Sequence, residues 1–126
     1  MNKNNSLEVI KDCTTYIKNH LQDTLTAESL ASRYGYSLYH FCHIFKICCD
    51  MSPGKYIRLL RLEKAKKDIL SGMSITQAGF DNGFETSSGF SKAFRKEYGI
   101  SAREYLKQNK ESEVLIMLHV EIKTLQ

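Results

Sequence analysis

At 126 residues the chain has room for one domain or two very small subdomains, which excludes a nucleotide-binding domain joined to a substrate domain. Its composition, 42% apolar and 25% charged, is that of a globular protein, and its longest apolar run, residues 114–118, is far short of the ~20 needed to cross a bilayer. The net charge of +4 is uneven: residues 33–107 carry 13 Lys/Arg against 7 Asp/Glu, while both flanks are slightly acidic, a balance suited to a polyanionic partner. Residues 1–6 are polar with no apolar stretch behind them, so the expectation is a cytoplasmic protein without a secretory leader or membrane contact.

The spacing of Leu7, Ile10, Cys13, Ile17 and Leu21 by threes and fours predicts a first helix. A second is expected from a Thr26 cap to about residue 34, with Leu25 and Leu30 as a hydrophobic staple and Gly35 as its stop. A third is expected over residues 37–48 behind a Ser37 cap. Ser52 and Pro53 then open a connecting helix of about 18 residues, with Tyr56, Ile57, Leu60, Ala65 and Ile69 on its apolar side and Gly72 at its end. Ser74 and Gln77 read as a capping box for a short helix, and Thr86 caps a longer one reaching Tyr98.

Two of these segments are copies of one unit. Displaced by 49 residues, Ser37 falls on Thr86, Phe41 on Phe90, Phe45 on Phe94, Ser52 on Ser101 and Tyr56 on Tyr105. Displaced by 48, Leu25 and Thr26 fall on Met73 and Ser74, so the turn of the second copy is one residue longer. Each copy reads as helix, glycine-containing turn, helix: the helix-turn-helix arrangement, whose second helix enters a DNA major groove. A connecting helix of about 27 Å could hold two such helices in successive major-groove segments of one duplex, ~34 Å apart, so a monomer suffices.

The chain therefore resembles the DNA-binding domain of the AraC/XylS family of bacterial transcription regulators. The resemblance covers residues 7–107. It is carried by Leu30-Ala31, Gly35-Tyr36-Ser37, Phe41, Phe45-Lys46, Ser52-Pro53, Tyr56-Ile57, Arg61-Leu62 and Ala65, then by Ser74-Ile75, Gly83-Phe84, Phe90-Ser91-Lys92, Phe94-Arg95, Gly99, Ser101 and Tyr105. Departures are Asp50 where the family usually has Gly, Ala102 where it has Pro, Leu106 where it has Arg, and Ala78-Gly79 in place of Ile-Ala. Gly89 inside the second reading helix should weaken it by about 1 kcal/mol relative to Ala, either to admit a phosphate or without purpose.

The implied architecture is all-α: two helix-turn-helix subdomains (residues 1–51 and 73–108) joined by a connecting helix (residues 52–72), about seven helices in all. Residues 109–126 are left over. There 109–112 read as a polar linker, and the period-two alternation of 113–124 favours a strand over a helix; the resemblance to those family members that continue into a small-molecule-binding domain implies that this strand opens one.

In the first reading helix Phe41, Ile44, Phe45 and Cys48 form the buried stripe, leaving Tyr39, Cys42, His43 and Lys46 to face DNA. In the second, Phe90, Phe94 and Tyr98 turn inward while Ser87, Ser88, Ser91, Lys92 and Arg95 face out. Lys55, Arg58 and Lys96 are candidates for phosphate contacts, which position without specifying. Arg61 serves either DNA or an ion pair between the halves. Neither face carries Asn or Gln and the one Arg comes late, so base discrimination should be modest and supplemented by DNA shape.

The resemblance implies duplex DNA and RNA polymerase as partners, no cofactor and no catalysis. No Cys-x₂-Cys pair suggests a zinc site, and no phosphate-binding glycine loop or acid–base constellation stands out. The alternatives are a DNA-repair or redox-sensing regulator with a reactive cysteine, for which Cys42 is the candidate, and a protein-interaction module for an acidic partner.

Overall fold

The computed structural model describes residues 3–125, and these form seven helices without a strand: α1 (Lys3–Asn19), α2 (Ala27–Arg33), α3 (Leu38–Cys49), α4 (Pro53–Leu70), α5 (Ile75–Asp81), α6 (Ser87–Tyr98) and α7 (Ala102–Leu125). The chain divides into two compact units at Lys64/Ala65, within α4.

The first unit packs α1 and α2 against α3 around Ile10, Cys13, Ile17, Leu30, Phe41, Phe45 and Ile57, all nearly inaccessible to solvent. Leu7, expected on the buried side of α1, is 48% exposed. Arg61 on α4 donates from Nε to the Leu21 carbonyl (3.0 Å) and from a terminal nitrogen to the Asp23 carbonyl (2.8 Å). It thus satisfies the chain end left open after α1, and its place is within the first unit. Burial lowers its pKa, the cost of withdrawing a guanidinium from water.

In the second unit α6 packs against α5 and α7. Phe90 and Phe94 are fully buried, and their rings form a chain from Phe84 (5.1 Å to Phe90) to Tyr98 (4.7 Å from Phe94) and Tyr105 (5.8 Å from Phe94). Lys66 lies over the Tyr98 ring at 4.4 Å.

The repeat extends to individual backbone hydrogen bonds. Tyr36 N–H donates to the Ala31 carbonyl (2.9 Å) and Phe84 N–H to the Gly79 carbonyl (3.0 Å). Gly35 (φ +75°) and Gly83 (φ +92°) hold the left-handed position inside these matching turns. Ser37 follows Tyr36 directly, whereas Glu85 stands between Phe84 and Thr86, and this is the additional residue. Asp50 (φ +60°) and Gly99 (φ +78°) end α3 and α6 alike, donating to the Lys46 and Arg95 carbonyls. Ser52 and Ser101 then accept from Lys55 and Glu104 N–H at the starts of α4 and α7.

Three sequence expectations need correction. Gln77 does not close a capping box: Ser74 Oγ accepts from Gln77 N–H, but the Gln77 amide reaches forward to Asp81 (2.6 Å). The reciprocal box forms at α2, where Thr26 and Ser29 exchange bonds of 3.0 and 3.4 Å. Lastly, residues 109–112 are not a linker and 113–124 are not a strand; both belong to α7. No Gly or Pro follows Gly99 to stop a helix capped at Ser101, and a strand without a neighbouring edge could not satisfy its amides, whereas a helix does so internally. Residues 113–124 are every one exposed. Among the described residues no helix is long and apolar enough to cross a membrane.

Candidate nucleic-acid interface

Helices α3 and α6 are the second members of the two copies. Each is twelve residues long, capped at its start by a hydroxyl, and closed by a left-handed residue. Ser37 Oγ accepts from His40 N–H (3.2 Å), and Thr86 Oγ1 accepts from Gly89 N–H (2.9 Å). A Cβ on Gly89 would lie 2.9 Å from that same Thr86 oxygen, so the glycine accommodates the cap, a reason the sequence did not disclose.

On α3, Phe41, Ile44 and Phe45 are buried while Tyr39, His43 and Lys46 are exposed. The Tyr39 and His43 rings run parallel one turn apart, with centroids 6.2 Å apart and an interplanar angle of 5°. Two assignments on this helix change. Cys48, expected in the core, is exposed, and Cys49 packs against the core instead. The buried stripe tilts as the helix ends: Cys49 lies one turn beyond the fully buried Phe45, and Cys48 one turn beyond Ile44 at the core's margin. Cys42, assigned to the outward face, is half-buried against the core. Ile47, which the sequence reading passed over, is 70% exposed.

On α6, Phe90 and Phe94 are buried, and Tyr98 packs half-buried on Phe94. Ser87, Ser88, Ser91, Lys92, Arg95 and Lys96 are all exposed. Lys55 and Arg58, on the first turns of α4, are exposed as well. Helices α3 and α6 thus carry exposed cations on the side away from the phenylalanines, as an electrostatic footprint for a polyanion requires.

Two of the four cysteines hold their protons more firmly than a free thiol does. Burial, reinforced by Cys49 and Asp12, pushes the Cys13 thiol up to about 12, and burial together with Cys48 raises Cys49. Reactive thiols lie below the ordinary value.

Residues 30–108 match the family described as a helix-turn-helix domain. The chain is 33% identical over 90 residues to the HTH-type transcriptional activator RhaS of Escherichia fergusonii, and 29% identical over 91 residues to the right origin-binding protein of Escherichia coli K12. Each match takes in 71% of this chain and 32% of the relative, so the chain spans about a third of these relatives' length. Among solved structures, the C-terminal domain of AraT, a response regulator from Geobacillus stearothermophilus, superimposes with a TM-score of 0.76 at 27% identity, covering 79% of this chain and 84% of that one. With its duplicated helix-turn-helix, its two hydroxyl-capped second helices and these relatives, the chain belongs to the AraC/XylS family of DNA-binding transcription regulators.

Proposed function

We propose that this chain recognises a specific duplex site by inserting α3 and α6 into successive major-groove segments, and that it does so as a monomer. The observation that carries this reading is the shared design of the two helices: a hydroxyl cap, a pair of buried phenylalanines, and an opposite face left to polar and cationic side chains. Two reading helices in one chain supply what other helix-turn-helix proteins obtain by dimerising. Tyr39, His43 and Lys46 on α3, and Ser87, Ser88, Lys92 and Arg95 on α6, meet base edges. Lys55, Arg58 and Lys96 meet phosphates, and Cys42 stands at the margin of the contact.

The regulator acts in the cytoplasm by occupying its site and presenting itself to RNA polymerase, with no chemistry of its own. The half-burial of Cys42, the cysteine such an activity would use, against the core supports this reading over a cysteine-based repair or redox activity. The test is titration with duplex DNA at several salt concentrations. The logarithm of affinity should fall linearly with the logarithm of salt, by about 0.9 for each phosphate neutralised. A slope near zero, or equal affinity for an acidic polypeptide, refutes it.

A further inference from the structure

The repeat pairs the exposed residues of the two reading helices one to one, and the paired residues differ in chemistry. Tyr39 corresponds to Ser88, His43 to Lys92, and Ile47 to Lys96. On α3 the three lie at successive intervals of four, within about 80° of arc, and so form one stripe along the helix. Tyr39 is 82% exposed and Ile47 70%, with the His43 ring parallel to Tyr39 between them. Together the three side chains make one contiguous exposed stripe, and it lies on the face that would enter the groove. Lys46 beside it carries the charge that draws in a polyanion.

From this we infer that the Tyr39–His43–Ile47 stripe makes α3 a reader of thymine 5-methyl groups, while the Ser88–Lys92–Lys96 stripe gives α6 no such preference. In the major groove the thymine methyl is the one apolar group a base pair presents. A tyrosine ring and an isoleucine one turn either side of His43 can cover two such methyls, which hydroxyls and ammonium groups cannot. The operator is therefore asymmetric in chemistry, with a thymine-dependent half under α3. This deepens the proposed function and depends on α3 being a reading helix.

The experiment selects a bound duplex from a randomised pool with the full chain, then replaces each thymine singly by deoxyuridine, which lacks only the methyl. Affinity should fall roughly threefold to fourfold per contacted methyl, at positions confined to one half of the site. The double variant Tyr39→Ser, Ile47→Lys, which gives α3 the side chains of α6 at its two methyl-covering positions, should abolish the thymine–deoxyuridine difference, whereas Lys92→Ala should preserve it. If every deoxyuridine duplex binds as tightly as its parent while salt-dependent binding persists, the methyl assignment is overturned and the DNA-binding reading stands. If no duplex is selected at all, both fall.

Discussion

Gly79 and Asp50 occupy positions at which the chain departs from its own repeat. The counterpart of Gly79 is Ala31, yet a Cβ on Gly79 would fall 2.8 Å from the Phe90 ring, a rigid neighbour that cannot swing away. Gly79→Ala should therefore destabilise the fold by about 1–3 kcal/mol, the usual result of overpacking, seen as a lower melting temperature. The counterpart of Asp50 is Gly99, and Asp50 bears the left-handed φ of +60° that a side chain resists. Asp50→Gly should stabilise by about 1 kcal/mol, read from the urea midpoint. Both positions stood out in the sequence as departures from family usage, but the close approach to Phe90 was invisible there. The same is true of Tyr34 and Asn82, which hold one repeat position with different chemistry. Tyr34 donates to Asp12 (2.7 Å) and Asn82 to Asp68 (2.8 Å), each tying the end of its short helix to a carboxylate on a longer one.

At the scale of the helix, caps and buried stripes were legible because they obey short-range rules: Thr26, Ser37, Ser52, Ser74 and Thr86 all cap where they were expected to. What failed depended on the surroundings. Cys48 followed the helical period but reached the place where the core ends. Residues 113–124 fitted both a strand and a helix, and the choice turned on whether an edge was at hand for pairing. The division into a reading face and a packing face gives a direct test. Phe45→Ala and Phe94→Ala should each lower stability by about 3–5 kcal/mol, as deletion of a fully buried ring does. His43→Ala and Lys92→Ala should leave the melting temperature unchanged and weaken binding to the cognate duplex by about 1–3 kcal/mol. Loss of folding in His43→Ala, with normal affinity per folded molecule, would move His43 from the groove to the core.

At the scale of the whole molecule, four groups of the first unit hold their protons more tightly than usual. Cys13 and Tyr34 are each pushed up to about 12 by burial, and Cys49 and Tyr56 are raised by the same cause. For each of them the folded state binds the proton more firmly than the unfolded chain does. Their stabilisation is therefore fully present below pH 9–10, where the unfolded chain is still protonated, and declines as pH rises towards 12. The first unit should loosen across that window. All four cysteines lie in the first unit, so thiol labelling reports on it alone: the exposed Cys48 should react without any opening, and the buried Cys13 only as the unit opens. A labelling rate for Cys13 that rises no faster than that of Cys48 between pH 9 and 12 would count against the assignment.

The grip of Arg61 on the Leu21 and Asp23 carbonyls spans 40 and 38 residues of chain, and this sets an order of events during synthesis. Helices α1, α2 and α3 can form within microseconds once their residues are free. Their core nevertheless lacks Ile57, and the turn after α1 lacks its guanidinium, until α4 has been made. Translation adds roughly 5–20 residues per second, so the nascent first unit spends about a second with its last long-range contact missing. During that interval Phe41 and Phe45 are shielded only in part. Proteases and chaperones would meet this unit in a form that the finished protein does not display.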